Sequence, residues 1–370
     1  MLNDYMSILT LNEEDGSIKG LTKKRPLAAI PIAGRYRIID FVLSNLVNSG
    51  IRNVGILTDG NSRSLVDHLG SGKPWDLDRK INGLFVFSFS GVNSFFSDIE
   101  MLKNNMEYIY RSRQSKVIIS SSFMICNIDY EQAARFHEES GSDITIIYKK
   151  INDGKTHFLN RNVLNLNENS EVLGIGKNIG TENNQNISME MFIMDKSLLI
   201  NILNSCIKTG FWSTISEWIY RNCNNLNING YEFKGYLKCI DSIQSYYEAN
   251  MDMLNLDINK ELFFSNGLIY TKVMDEAPTK YFNGSYVCNS LIANGSLIQG
   301  FVTNSIISRR VVIHKGAKVR NCIIMQNCEI KENAKLTNVI IDKNVLIDEG
   351  KELKGDREYP VVIEKRSLYQ

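Results

Sequence analysis

Two arginines, Arg35 and Arg37, stand immediately before a segment from Ile38 to Val47 whose apolar residues recur on one helical face. A glycine stop and the β-rich run Val54 to Thr58 follow, so the segment predicts one turn of a β-α-β layer. Folds of this kind usually bind their ligand where a strand leads into a helix. An arginine there is suited to a phosphate group, because its guanidinium can donate two parallel hydrogen bonds to it. The alternative is an ion pair between Arg35 and a nearby carboxylate such as Asp40.

The composition is that of an ordinary globular protein of 370 residues, with 43% apolar and 22% charged residues. A formal net charge of +1 gives no general attraction to nucleic acid or to an acidic membrane surface. No run of about 18 apolar residues occurs, and the first residues lack the pattern of a secretory signal. We therefore expect a cytoplasmic protein that binds neither nucleic acid nor a membrane.

Seven cysteines are scattered without paired short spacings, which indicates reduced thiols rather than a disulfide framework. The four histidines, at positions 68, 137, 157 and 314, never fall at the spacing of metal ligands. We interpret each as a structural residue, and we do not expect a zinc site.

Strands and helices alternate along the first two thirds of the chain, which predicts an α/β domain with a mostly parallel, Rossmann-like sheet. The pattern predicts a long helix from Asp98 to Arg113, a strand from Glu232 to Ile240 and a closing helix from Ser242 to Leu256. We place this domain at residues 1–258, and a linker punctuated by proline and glycine at residues 259–284.

Beyond the linker a short phrase recurs, in which an asparagine is followed two positions later by a pair of aliphatic residues. The phrase begins at Asn289, Asn304, Asn321 and Asn338. The last two intervals are both 17 residues, and within them the apolar positions step by six, as in Ile307, Ile313 and Val319. Residues that tolerate positive φ recur at the same interval, at Gly316, Asn333 and Gly350. This pattern predicts a left-handed parallel β-helix of hexapeptide repeats at residues 285–370, ending in a C-terminal tail and docked against a neighbour.

With both parts placed, the chain resembles the ADP-glucose pyrophosphorylases, also called glucose-1-phosphate adenylyltransferases, over nearly its whole length. The resemblance is carried by the segments Gly34 to Phe41, Leu43 to Ile51, Pro74 to Arg79, and Tyr247 to Asn250 with Asp252. That family joins ATP and glucose 1-phosphate into ADP-glucose and releases pyrophosphate. The resemblance implies catalysis by positioning and charge, through a glycine-rich loop with an arginine, a nearby lysine and two aspartates that hold Mg²⁺.

The chain departs from the family at each of these catalytic parts. The paired loop glycines fall at residues 12–13, which are an asparagine and a glutamate. The family's arginine falls on Ser17, its lysine on Leu27, and its two metal-binding aspartates on Phe123 and Cys239. A thiolate is a soft and poor ligand for Mg²⁺, so we expect no metal cofactor in this chain.

Loss of a phosphoryl-stabilising arginine alone is worth on the order of 10³–10⁵ in rate. The combined losses therefore predict negligible turnover, and the pattern resembles the non-catalytic, regulatory GlgD-type subunit. The resemblance implies a place in bacterial glycogen biosynthesis and a catalytic glucose-1-phosphate adenylyltransferase subunit as partner. It also implies a hetero-oligomer, a tetramer of mixed subunits among the options, that responds to a phosphorylated effector or a nucleotide.

Several residues match positions that line ligands in the family. The remnant of the nucleotide and sugar pocket is predicted at Trp75, Asp76, Ser121, Lys177 and Ser188, and the effector candidates are Arg35, Arg37 and Arg357. Structural alternatives stay open for them, because Trp75 could cover a sheet edge, Ser188 is an ordinary strand serine and Arg357 a solvated tail charge.

Two other functions compete with the regulatory one. An active sugar-phosphate nucleotidyltransferase with a rearranged metal site would use displaced acids such as Glu13, Asp15 or Asp241, and it would demand Mg²⁺-dependent nucleotide binding. A β-helix acyltransferase would use His314 as its base, although the match of the first domain argues against it.

Overall fold

The computed structural model describes residues 1–11, 16–58, 62–88, 97–211 and 213–365. The chain divides by its contacts into two compact units, each assembled from three separate stretches. The first unit comprises Met1–Glu13, Phe41–Cys239 and Phe264–Tyr270, and the second comprises Glu14–Asp40, Ile240–Phe263 and Thr271–Gln370. The predicted domain limits stay a prediction, since these units follow contacts rather than sequence order.

Strands before the β-helix are numbered in chain order. They are β1 (Tyr5–Thr10), β2 (Pro31–Ile32), β3 (Tyr36–Arg37), β4 (Asn53–Thr58), β5 (Gly83–Ser88), β6 (Lys116–Ser121), β7 (Met124–Ile125), β8 (Ile144–Ile151), β9 (Asn162–Leu166), β10 (Val172–Lys177), β11 (Gln185–Asp195), β12 (Ile228–Glu232) and β13 (Lys238–Cys239).

The α-helices are numbered in the same way. They are α1 (Lys19–Thr22), α2 (Ile38–Asn48), α3 (Arg63–Leu69), α4 (Asp98–Asn104), α5 (Met106–Arg111), α6 (Tyr130–Ser140), α7 (Lys196–Thr209), α8 (Ile215–Arg221), α9 (Ile243–Asp252) and α10 (Leu256–Phe264). None of the helices in the described ranges is long and apolar enough to cross a membrane.

The first unit is built on a nine-stranded sheet with the order β12-β8-β11-β6-β1-β4-β5, and the β9-β10 hairpin pairs with β11. β1 runs parallel to β4 and β6, β4 to β5, and β8 to β12, whereas β11 is antiparallel to both β6 and β8. All six residues of β4 are buried, as expected for a parallel strand covered on both faces. The predicted α/β architecture with a mostly parallel sheet is confirmed.

Three predicted elements of this region were wrong in extent. The long helix from Asp98 is interrupted at Asn105, whose side-chain amide donates to the carbonyl of Met101 and so competes with the helical ladder. The predicted strand from Glu232 to Ile240 is two strands, because the stretch between them contains Gly235 and does not pair. The closing helix ends at Asp252, and α10 occupies the first residues of the predicted linker.

The second unit contains a left-handed parallel β-helix of three sheets. Its strands are β14 (Lys280–Tyr281), β15 (Tyr286–Cys288), β16 (Leu291–Ile292), β17 (Leu297–Ile298), β18 (Phe301–Thr303), β19 (Ile306–Ile307), β20 (Val312–Ile313), β21 (Lys318–Arg320), β22 (Ile323–Ile324), β23 (Glu329–Ile330), β24 (Lys335–Thr337), β25 (Val339–Ile341), β26 (Leu346–Ile347), β27 (Glu352–Lys354) and β28 (Val361–Ile363). Each sheet takes every third strand and is five strands deep, so the three predicted coils are confirmed and extended.

The interior and the corners of the prism follow the repeat. Ile307, Ile324 and Ile341 stack in one buried column, as the 17-residue interval predicts. The corner residues named from the sequence have left-handed φ, for example +75° at Gly316 and +56° at Asn333. The phrase asparagines are also left-handed, and they stack with hydrogen bonds such as Asn321 Nδ2 to Asn338 Oδ1 at 3.1 Å.

One wall of the prism, formed by β16, β19, β22, β25 and β28 and called here the third sheet, is closed on its outer side as well. Its outward residues Ile306, Ile323 and Ile340 are buried, whereas the equivalent positions of the other two walls are partly or fully exposed. Helix α9 and the N-terminal stretch 16–40 supply the cover within this unit. The hydroxyl of Tyr247 in α9 donates to the carbonyl of Asn321 at 2.8 Å, and Arg25 forms a buried ion pair with Asp342.

Candidate functional site

The two positions that match the family's metal aspartates lie close together in the first unit. β7 and β13 pair antiparallel with Cys239 opposite Met124, so the ladder places Cys239 next to the residue that follows Phe123. Both Phe123 and Cys239 are buried. The guanidinium of Arg161 lies over the Phe123 ring, 4.7 Å from its centroid. The sequence reasoning thus named two neighbours, although it did not find Arg161.

This pair does not fit a magnesium ion. Mg²⁺ is held in proteins by carboxylate and other hard oxygens, whereas the two side chains here offer a phenyl ring and a thiol. The hydroxyl of Ser121 is buried and has no hydrogen-bond partner within the described part of the chain, but a lone hydroxyl supplies no charge. In the described ranges no three His, Cys, Asp or Glu residues are grouped so that they could hold a metal ion.

The positions of the family's arginine and lysine lie in the second unit. Ser17 is exposed in the 3-10 turn Gly16–Ile18, and Leu27 is buried in the 3-10 turn Leu27–Ala29. Neither side chain carries a charge that could meet a triphosphate. The substituted loop glycines and the displaced acids Glu13 and Asp15 lie outside the described residues.

Trp75 and Asp76 are neighbours in sequence but have different surroundings. The Trp75 ring is buried and meets His68 edge-on, with ring centroids 5.8 Å apart, and its Nε1 has no partner among the described residues. Asp76 is exposed, forms an ion pair with Arg79 and lies 3.8 Å from Nε of Arg52. Trp75 therefore packs in the core of the first unit, and Asp76 is part of a surface ion-pair group.

Lys177 and Ser188 also differ in exposure. Lys177 is exposed at the end of β10. Ser188 is buried in β11, and its hydroxyl lies 2.8 Å from the hydroxyl of Tyr220. Ser188 thereby belongs to a polar cluster that includes Glu190, which accepts a hydrogen bond of 2.7 Å from Nδ2 of Asn162. Sequence reasoning missed Glu190, although an acid among the apolar residues of a central strand is an available signal.

Arg35 lies beside a second arginine that sequence reasoning also missed. The Arg35 guanidinium lies over the Tyr36 ring, 5.0 Å from its centroid. Burial, and then the charge of Arg35, lowers the pKa of Arg309. No carboxylate in the described stretches forms an ion pair with either guanidinium, and Asp40 instead accepts a 2.9 Å hydrogen bond from the backbone amide of Arg37. The predicted alternative, an ion pair of Arg35 with Asp40, is therefore not formed.

A second group of cations in this unit surrounds Lys343. Burial, together with the charges of Arg37, Arg25 and Lys365, lowers the pKa of the Lys343 ammonium to about 7, and the charge of Asp342 opposes the shift. Lys343 is half-buried. The remaining effector candidate, Arg357, is exposed. Lys343 and Arg309 had no local signal, because basic residues at the corners of a repeating coil are ordinary surface residues in sequence.

The residues of the competing functions are engaged in local structure. His314 Nε2 lies 2.8 Å from Oε1 of Glu329, which Lys331 Nζ also contacts at 2.5 Å. Asp241 accepts a hydrogen bond of 3.1 Å from the hydroxyl of Ser245 at the start of α9. His314 is therefore part of a surface ion cluster on the β-helix, and Asp241 is part of the hydrogen-bonded start of α9.

Two family models match the chain. Residues 17–158 match a model described as nucleotidyl transferase, and residues 276–360 match one described as GlmU-like, C-terminal hexapeptide. The chain is 37% identical over its whole length to "Glycogen biosynthesis protein GlgD" of Geobacillus stearothermophilus, covering 98% of that protein. It is 36% identical over 86% of its length to the protein of the same name from Bacillus subtilis, covering 83% of it. It is also 33% identical over 86% of its length to "Glucose-1-phosphate adenylyltransferase" of Mycoplasma mobile, covering 85% of that protein.

Proposed function

Since the chain belongs to the glucose-1-phosphate adenylyltransferase family, we propose that it is a regulatory and catalytically inactive subunit of that enzyme. In this function it modulates a catalytic partner that joins ATP and glucose 1-phosphate into ADP-glucose and pyrophosphate, in bacterial glycogen biosynthesis. Its relatives support the pathway, since two of them are named as glycogen biosynthesis proteins.

The observation that carries the proposal is that Phe123 and Cys239, at the positions that match the metal carboxylates, are both buried, with Cys239 paired to Met124, the residue after Phe123. A site without a hard anionic ligand cannot bring Mg²⁺ to a triphosphate. Apolar groups in place of two close carboxylates also remove like-charge repulsion, which stabilises the fold while it abolishes the reaction. The family's arginine and lysine, which bind the phosphates, are replaced by the exposed Ser17 and the buried Leu27, and neither side chain carries a charge.

Modulation of a partner requires a place where a metabolite is sensed. Arg35 and Arg309 in the second unit have no carboxylate partner among the described residues, and the cations around Lys343 outnumber Asp342. Guanidinium groups crowded by other cations are suited to a phosphorylated effector or a nucleotide, because a bound anion relieves their mutual repulsion. We assign the effector function to these two groups, with Arg37 in the second of them.

The proposal places the chain in the cytoplasm as part of a mixed oligomer with catalytic subunits, in which it has no metal cofactor of its own. Formation of ADP-glucose is measured with Mg²⁺ for this chain alone, for the catalytic subunit alone and for the mixture. We expect no turnover from this chain and an altered rate or effector response in the mixture. Turnover by this chain alone would favour the active enzyme with a rearranged metal site, and an unchanged catalytic subunit would contradict the regulatory function.

A pair of adjacent arginines provides a matched test of the effector site. Arg309 faces Arg35, whereas Arg310 is exposed and forms an ion pair with Glu276, its Nη2 lying 2.6 Å from Oε1. In the mixture we expect Arg309→Gln to weaken the response to phosphorylated metabolites and Arg310→Gln to leave it unchanged. Equal effects of the two substitutions would contradict the assignment.

A further inference from the structure

Glu190 has a backbone conformation that its residue type rarely adopts. It lies within β11 with a φ of +55°, in the left-handed region. The register between β11 and β8 shifts between Ser188 and Met191, so Glu190 occupies a β-bulge. Side chains other than glycine, asparagine and aspartate are strained there, and such strain persists only where the surroundings enforce it. The bulge turns an acidic side chain toward the polar cluster described above.

The carboxylate of Glu190 is enclosed by donors. Nδ2 of Asn162 donates to its Oε1 at 2.7 Å, and the hydroxyl groups of Tyr220 and Ser216 also donate to the carboxylate. Burial raises the pKa of Glu190, and hydrogen bonds from Asn162 and Tyr220 and the charge of Arg161 oppose that rise. The same burial raises the pKa of the Tyr220 hydroxyl, so it remains a donor.

The groups around this carboxylate form the kind of set that binds a small anion. They are an amide NH₂, hydroxyl groups and a guanidinium, and the guanidinium is oriented by its contact with the Phe123 ring. A buried carboxylate normally has a cation or several donors that compensate its charge, and this one has both. The carboxylate oxygen atoms of Glu190 therefore occupy positions that could be taken by the oxygen atoms of a bound carboxylate or phosphate ester, which would make the same contacts.

We propose that Glu190 is a built-in ligand: its side chain fills a pocket for a small oxyanion lined by Arg161, Asn162, Ser216 and Tyr220, and so closes that pocket to external molecules. The inference deepens the proposed function and rests on it, because a subunit that turned over substrate here would need the pocket open. In the regulatory subunit the filled pocket keeps the first unit from competing with its partner for anionic substrate.

Removal of the side chain tests the proposal. Glu190→Gly opens the pocket and relieves the left-handed strain, and Glu190→Asn is a second opening variant that tolerates the same φ. Glu190→Gln is the matched variant that keeps the pocket filled. Ser170→Gly is the control for strain alone, because Ser170 has a φ of +65° in the turn between β9 and β10. Propionate, which is the deleted side chain as a free acid, and glucose 1-phosphate are the probes.

Binding is measured by calorimetry and by the shift in unfolding temperature. We expect propionate to bind and stabilise Glu190→Gly and Glu190→Asn, and not the wild type, Glu190→Gln or Ser170→Gly. Binding of glucose 1-phosphate to the opened variants would assign the pocket to phosphate esters, and binding of propionate alone would assign it to carboxylates. The proposal is overturned if folded opened variants bind neither probe, or if the wild type binds propionate equally well. Neither result depends on the assay of the mixed enzyme, so failure here is distinct from failure of the regulatory function.

Discussion

Lys343 titrates near neutrality because its ammonium group is partly desolvated among other cations, namely Arg37, Arg25 and Lys365, with only Asp342 opposing. A base whose pKa is lowered on folding destabilises the folded state while it is protonated. Stability therefore rises with pH from about 7 towards the ordinary lysine value, since the unfolded chain then binds the additional proton. An anion bound beside Lys343 offsets the repulsion among these cations, so that the Lys343 amine takes up a proton.

Anion binding should consequently depend on pH. We expect inorganic sulfate, which does not titrate in this range, to bind with proton uptake and to bind more weakly as the pH rises through about 7. Calorimetry in two buffers of different ionisation enthalpy measures the uptake. Lys343→Met should abolish the pH dependence, whereas Lys351→Met, at an exposed lysine of the same unit, should preserve it. A pH-independent affinity in the wild type would contradict this account.

The ion pair of Arg25 with Asp342 is buried, with only 6% and 5% of the two side chains exposed. Removing one partner of such a pair leaves an uncompensated charge in the interior, which costs about 3–5 kcal/mol. We expect Asp342→Ala to lower the free energy of unfolding by that amount in urea denaturation. The double variant Arg25→Met/Asp342→Leu should recover most of the loss, because it removes both charges. A single variant as stable as the wild type would show that the pair is solvated.

Individual site residues were predictable only where the chain carries a local motif. Arg35 stands beside a helix start, and Phe123 and Cys239 stand in stretches that resemble the family's metal site. Arg309 acquires its importance from distant neighbours, which no local pattern records. Glu190 is visible in the sequence as an acid among apolar strand residues, but the bulge that turns it is not.

The corners of the β-helix depend on residues that accept left-handed φ. Gly316 and Gly350 hold equivalent corners two coils apart, with φ of +75° and +65°. A Cβ at Gly316 would collide with the Asn333 side-chain oxygen, whereas a Cβ at Gly350 would meet nothing within 4 Å. The pair thus separates backbone strain from steric conflict.

We expect Gly350→Ala to cost about 1 kcal/mol, which is the strain of a left-handed alanine. Gly316→Ala should cost more, by roughly a further 1–2 kcal/mol, because the Asn333 side chain must also move. Urea denaturation followed by circular dichroism measures both. Equal losses of unfolding free energy for the two variants would mean that the Asn333 side chain moves aside without cost.

The repeat made the β-helix predictable, while less regular elements were not. The phrases at Asn289, Asn304, Asn321 and Asn338 predicted the coils, although the first interval is 15 residues and the others are 17. Strand β14, which precedes the first phrase, fell in the predicted linker. The break of the long helix at Asn105 was not predicted from the sequence, because the apolar periodicity continues through it. The break depends on one side chain, the amide of Asn105, which donates to the carbonyl of Met101.

The second unit contains, besides the β-helix, two segments from earlier in the chain. Its third sheet buries Ile306, Ile323 and Ile340 on the outer side, under α9 and the N-terminal stretch. Sequence order hides this, because the covering residues lie far upstream of the coils. We expect a fragment of residues 271–370 to expose these isoleucines, to bind a hydrophobic dye and to unfold with low cooperativity. The full chain under the same conditions is the control. A monomeric fragment with a cooperative transition and no dye binding would contradict the expectation.

This covering arrangement has a consequence for how the chain is made. Arg25 is synthesised before its partner Asp342, which lies 317 positions later in the chain. At ~5–20 residues per second, a buried arginine waits roughly 16–60 s for its counter-charge. Until the last coils emerge, the stretch 16–40 lacks part of the β-helix surface that it covers in the folded chain. The stretch that contains Arg25 therefore completes its native contacts only after the coil that contains Asp342 has been synthesised.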